Sequence, residues 1–195
     1  MCPLELAFIL DSSESAKLLL FGRQKAFVDA FSRRVTQLQL GGWELDARLA
    51  VIQYSSTVFI DQRFSDWQNL EQFLRSVASM SYIGQGTYTT YAITNATQLF
   101  TQETTPESMR VALLMTDGSD HPRNPNVIAA TAEAKSNGIK LFAIGLSDQA
   151  RQSQSSAKLR SMASSPAQMY VHSLTDANLE ETLLKEIVSM TLSAL

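Results

Sequence analysis

Three short polar segments hold the side chains best suited to chemistry. They are Asp11-Ser12-Ser13-Glu14-Ser15, Gly84-Gln85-Gly86-Thr87 and Thr116-Asp117-Gly118. Together they offer two carboxylates, Asp11 and Asp117, and the hydroxyls of Ser13, Ser15 and Thr87. All are hard oxygen donors, and no cysteine or histidine cluster accompanies them. Such a set suits Mg²⁺, which keeps some of its water and often completes its shell with an oxygen from a partner. The alternation at Asp11, Ser13 and Ser15 lets one loop aim three side chains at one point, with Ser12 and Glu14 directed away. Gly86 and Gly118 permit close backbone approach. The same aspartate and serines could instead cap the first long helix, Ser15 above all.

Chemistry of this kind needs the segments brought to one edge. Leu4 to Leu10 is a nearly continuous apolar run, the pattern of a strand covered on both faces. Residues 18–38 carry Phe27, Phe31, Val35 and Leu38 at helical spacing. Arg48 to Tyr54 and Val58 to Phe64 read as an antiparallel hairpin, since three residues are too few for a helical crossover. Helices are expected over 68–77 and 88–100, a central strand over 111–115, and a helix over 126–136 ended by Asn137-Gly138. A strand over 139–146, a helix over 155–163, a weak strand over 169–171 and a helix over 176–192 with Asp176 as N-cap complete the chain. The order βαββααβαβαβα implies an α/β, doubly wound, mainly parallel sheet with one antiparallel edge strand and helices on both faces. In such sheets ligands bind at the carboxyl ends of the strands, where the three polar segments fall.

The 195 residues read as one domain spanning 1–195, without repeat, low-complexity tract or linker. Apolar residues make up 45% and charged residues 18%, with a net charge of −3 and no block of like charge. That balance gives no support to nucleic-acid or membrane-surface binding, and Arg33 and Arg34 read as a solvated helix face. No apolar run approaches the roughly 20 residues that span a bilayer. Met1, followed at once by Cys2, Pro3 and a strand, reads as a start placed on an excised domain. Cys2 is the single cysteine. It is either an unpaired thiol or the partner of a cysteine elsewhere in a longer secreted protein.

The three segments also carry a resemblance. Asp11-Ser-Ser13-Glu-Ser15 is similar to the Asp-x-Ser-x-Ser motif of von Willebrand factor type A domains. Gly86-Thr87-Tyr-Thr89 resembles that family's threonine loop, and Thr116-Asp117-Gly118 its final metal motif. The motifs come in the family's order, and the resemblance covers nearly the whole chain. The opening CPLELAFILDSSESA looks most like domains of non-fibrillar collagens of the type VI or type XXVIII kind, with matrilins and other matrix proteins close by. The resemblance implies a Mg²⁺-dependent adhesion site, with Mn²⁺ or Ca²⁺ able to substitute. Ser13 and Ser15 would bind the ion directly, Thr87 directly in a ligand-ready state, and Asp11 and Asp117 mostly through water. A Glu or Asp carboxylate of a matrix or cell-surface partner would supply the sixth ligand. The implied role is a secreted, extracellular-matrix interaction module with no catalysis. In integrin-type members, changes at the metal ligands move the last helix.

Other residues carry weaker expectations. Thr89 reads as the cap of its helix. Asp120 and His121 fall on the rim, in reach of a ligand or simply solvated. His172, Trp43 and Trp67 read as packing residues. Asn95-Ala96-Thr97 is the one glycosylation sequon, off its helix's apolar stripe. A rival reading is an intracellular scaffold domain of the same fold. An enzyme is a weaker rival: there is no Gly-x-Ser-x-Gly elbow, no phosphate loop ending in Gly-Lys-Ser/Thr, and no histidine clearly paired with a nucleophile.

Overall fold

A computed structural model describes residues 2–148 and 153–194, apart from the side chains of Cys2 and Ser153. The Cys2 thiol, and with it the choice between a free thiol and a disulfide, lies outside what is described. Strand β1 (Cys2–Asp11) runs through the middle of the sheet, because its Leu4-to-Leu10 run has no polar face to turn to water except at Glu5. On one side it pairs in parallel with β3 (Trp43–Tyr54), and on the other with β5 (Met109–Thr116). Beyond β5 come β6 (Ile139–Gly145) and the short β7 (Val171–Ser173), both parallel. The outer side of β3 takes two antiparallel partners, β2 (Gln39–Leu40) at its start and β4 (Val58–Gln62) at its end.

The helices are α1 (Lys17–Val35), α2 (Leu70–Ala78), α3 (Thr89–Glu103), α4 (Val127–Ser136), α5 (Ser153–Met162), the single turn α6 (Ala167–Tyr170) and α7 (Leu179–Ser193). Phe8 of β1 meets Phe31 of α1 edge-on at 6.2 Å and Phe73 of α2 at 6.2 Å, so this face of the sheet is closed by aromatic rings. The result is the mainly parallel, doubly wound α/β fold expected, with the hairpin at its edge.

Several boundaries differ from the expectation. The two-residue β2 is too short to show any periodicity. Strand β3 starts at Trp43, five residues before the apolar run, because pairing with β2 and β1 supplies its hydrogen bonds. The last strand lies at 171–173, since the residues after Pro166 close a helical turn that absorbs Met169. Helix α7 starts at Leu179: Asp176 accepts from the Asn178 N–H in a local turn instead of capping the helix. Trp67 packs on Phe73 as expected, but Trp43 is 54% exposed.

Candidate metal centre

The register that pairs Ile9 with Leu114 brings the ends of β1 and β5 side by side, so Asp11 and Asp117 meet although 106 residues separate them. Asp11 is fully buried. Its Oδ1 accepts the Ser13 N–H at 2.9 Å, and its Oδ2 accepts the Asp117 N–H at 3.3 Å. One carboxylate therefore fixes both loops. The Ser13 hydroxyl lies 3.0 Å from that of Ser15, which lies 3.3 Å from that of Thr87. Three hydroxyls thus form a continuous row that starts at Ser13, whose N–H is held by Asp11.

The Thr87 loop is laced to the Ser13 loop by its backbone. Ser13 bridges Gln85, the Glu14 N–H donates to the Gln85 carbonyl at 2.8 Å, and the Gly84 N–H donates to that of Ser12 at 2.8 Å. Ser12 is buried with its hydroxyl accepting the Ile83 N–H, and Tyr82 donates its phenol to the Ser13 carbonyl. Lys17, at φ 64°, holds the left-handed conformation that costs a non-glycine residue. Its N–H is shared between the carbonyls of Ser13 and Glu14. The Asp117 loop is shaped by Thr116, whose hydroxyl accepts the Gly118 N–H, and by Asp117, whose Oδ1 accepts the Ser119 N–H at 2.8 Å.

Burial pushes the Asp11 carboxyl up to about 7, helped by the charge of Asp117 and opposed by the Ser13 and Asp117 bonds. Among the described residues no lysine or arginine bonds to Asp11 or Asp117. A buried carboxylate beside a half-buried one, close to hydroxyls and without a basic partner among the described residues, has the donor set and the charge deficit that fit a divalent ion. Among the described residues there is no group of three or more histidine, cysteine or acidic side chains that could hold a metal, so any ion here must draw on the hydroxyls.

The capping alternative fails for Ser15: α1 is preceded by Ala16 with no side-chain cap, and the Ser15 hydroxyl bonds to those of Ser13 and Thr87. Ser13 does accept the Ala16 N–H, at 3.4 Å. Thr89 is not the cap of α3 either; that place falls to Tyr88, and the Thr89 hydroxyl donates to Asp120. Asp120 is not solvated: Lys158 of α5 pairs with its other oxygen. His121 stacks on Tyr88 at 4.9 Å, with its Nδ1 against the Tyr88 hydroxyl and accepting the Arg123 N–H. Both line a shallow depression with Ser15, Gly86 and Thr87. His172 is structural, bonded to the Met169 carbonyl. Asn95 is half-buried on α3 with its amide on the Tyr91 carbonyl, and Thr97 of the sequon is buried.

The residues missed by sequence reasoning are those that position the donors: Gln24, Tyr54, Tyr82 and Lys158. Each sits far along the chain from the segment it holds, and no local pattern marks it.

Comparison with known proteins agrees with this architecture. The family model of the von Willebrand factor type A domain matches residues 5–188, and the chain belongs to that family. It is 36% identical over 178 residues to matrilin-3 of Homo sapiens, covering 87% of this chain and 33% of matrilin-3. It is 28% identical over 200 residues to the collagen alpha-2(VI) chain of Gallus gallus, covering 96% of this chain and 19% of that one. The chain thus spans about a third of the length of the matrilin-3 that it matches. Proximal thread matrix protein 1 from the mussel byssus, solved with a zinc-occupied MIDAS motif, superposes with a TM-score of 0.73 at 18% identity, covering 96% of this chain and 47% of that one. That likeness is one of fold. Matrilins and collagens are secreted proteins of the extracellular matrix, and this domain is of their kind. Their type A domains are non-enzymatic adhesion modules. Among the described residues no helix is long and apolar enough to cross a membrane.

Proposed function

We propose that residues 1–195 form a single metal-dependent adhesion domain that joins an extracellular matrix protein to matrix or cell-surface partners. Asp11, Ser13, Ser15, Thr87 and Asp117 hold a divalent cation, Mg²⁺ in the first place, with Mn²⁺ or Ca²⁺ able to substitute. The observation that carries this reading is the row of three hydroxyls beside the buried Asp11 and half-buried Asp117, with no basic partner for either among the described residues. The bound ion supplies a concentrated positive charge for a Glu or Asp carboxylate of the partner. The protein's own part is to hold the donors in place. Asp11 spans the two loops, Tyr82 and Ser12 fix the backbone of the Ser13 loop, and Thr116 shapes the turn at Gly118.

Neither histidine bonds to a serine, threonine or cysteine, so the described residues assemble no nucleophile–base pair.

The test is calorimetric titration with Mg²⁺ and Mn²⁺ of the wild type, Asp11→Ala and Ser13→Ala, followed by matrix-protein binding with and without chelator. Cation binding by the wild type, lost in both variants, is expected. A wild type that binds neither ion would remove the metal mechanism and leave the fold untouched.

A further inference from the structure

Among the described residues, the basic side chain of Lys158 reaches the rim of the candidate site, the cup, without a hydrogen bond to its five donors. Lys158, on α5, pairs with the Asp120 carboxylate and also donates to the Gly118 carbonyl at 3.3 Å. Thr89 donates to the second oxygen of Asp120, so that carboxylate is held from both sides. The ion pair is largely shielded, with 12% of the Asp120 side chain and 24% of Lys158 exposed. Asp120 nonetheless lines the same depression, of about 310 Å³, as Ser15 and Thr87.

We propose that Lys158 sets the charge of the metal cup: by holding Asp120, it neutralises a third carboxylate at the rim and keeps the bound ion receptive to an acidic partner. This rests on the reading of the cup as a divalent-cation site. The argument is electrostatic. The two charges of an ion and the one of Lys158 match the three of Asp11, Asp117 and Asp120. Glu14 also borders the depression but is exposed, where water and salt screen it. Without Lys158 the cup and its ion would carry a net negative charge. The ion would be held more tightly, and an incoming carboxylate would meet repulsion. Without Asp120, the unpaired Lys158 would repel the ion. A purely mechanical brace predicts something different. Loosening the Asp117 loop from either side of the ion pair would weaken the ion in both cases.

The experiment is calorimetric titration with MgCl₂ and with MnCl₂ of the wild type, Lys158→Met, Asp120→Asn, the double variant and Lys158→Arg. Thermal melts in chelator check that each is folded. Lys158→Met is expected to bind the ion roughly three- to tenfold more tightly, and Asp120→Asn more weakly by a similar factor. The double variant and Lys158→Arg should return to within about twofold of wild type. Loss in both single variants, or no change in either, would overturn the inference while the wild type's binding upheld the site. If Lys158→Met does not fold, Lys158→Gln takes its place with the same tightening expected, because Asp120→Asn weakens the ion under either account and only the Lys158 side separates them. A wild type silent to both ions would overturn the site itself, and the inference with it.

Discussion

Gln24 makes two hydrogen bonds to the backbone of one residue, Asp11. Its Oε1 accepts the Asp11 N–H and its Nε2 donates to the Asp11 carbonyl, each at 2.8 Å. Both residues are fully buried. A side chain from α1 thus anchors the residue that joins the two loops of the candidate metal site. Gln24→Leu keeps the volume but leaves a buried N–H and C=O without these partners. The expected cost is about 2–4 kcal/mol, read as a lower denaturant midpoint. Cation affinity should fall as well, because Asp11 loses its fixed backbone. An unchanged midpoint would mean that water or a backbone group replaces both bonds.

The Asp11 carboxyl, raised to about 7 by burial and by Asp117, makes the metal-free domain sensitive to pH. The folded state binds this proton more tightly than the unfolded chain does. Its contribution to stability is therefore complete below the ordinary carboxyl range near 4, and is lost as pH rises through about 7. In chelator, melting temperature should decline between pH 5 and 8 by an amount reflecting a few kcal/mol. Asp11→Asn should flatten that decline. Saturating Mg²⁺ should restore the wild type at pH 8 and do little for the variant. Parallel melting curves for the two proteins in chelator would show that Asp11 is ionised throughout.

Strands β1 and β5, and the polar residues of the candidate site that follow them, are legible in the sequence for a simple reason. Continuous apolar runs mark β1 and β5, and each is followed at once by its polar residues. Gln24 is not legible, because a glutamine within a helix reads as a surface residue and nothing nearby says it is buried. Lys158 and Asp120 lie 38 residues apart and meet only once α5 packs beside the Asp117 loop. Thr89 and Ser15 mislead in the opposite way. Both have the residue type and place of a cap, yet each gives its hydroxyl to a tertiary partner. The start of α7 is ambiguous because Asp176 and Asn178 are both good capping types, and only the packing of Leu179 and Leu183 decides between them.

Gly118 is needed at its position for two reasons. Its φ of 86° is left-handed, and an added Cβ would sit 3.2 Å from the Ser155 Cβ. Gly118→Ala should cost about 1–2 kcal/mol from the backbone alone. It should also weaken the cation by pushing α5 and the Asp117 loop apart. Adding Ser155→Gly removes the contact but not the backbone strain, so stability should recover in part. Full recovery by the second change would assign the whole cost to the contact.

Tyr54 links the two strands on either side of β1. Its phenol, at the end of β3, donates to the Met115 carbonyl at 3.0 Å, passing the end of β1, which lies between β3 and β5. The ring is fully buried, and burial holds the hydroxyl protonated well above its ordinary range. This bond ties the ends of β3 and β5 together two residues before Asp117. Tyr54→Phe removes one hydroxyl and leaves the ring's packing intact. A stability loss of about 1–2 kcal/mol is expected from the unpaired carbonyl. If the bond also sets the spacing of the two loops, the cation dissociation constant should rise by more than the change in folding stability alone would produce. The check is to titrate Mg²⁺ well below the melting temperature, where both proteins are fully folded. Equal affinities there would confine Tyr54 to holding the sheet together, and a weaker variant would make it part of the apparatus that positions Asp117.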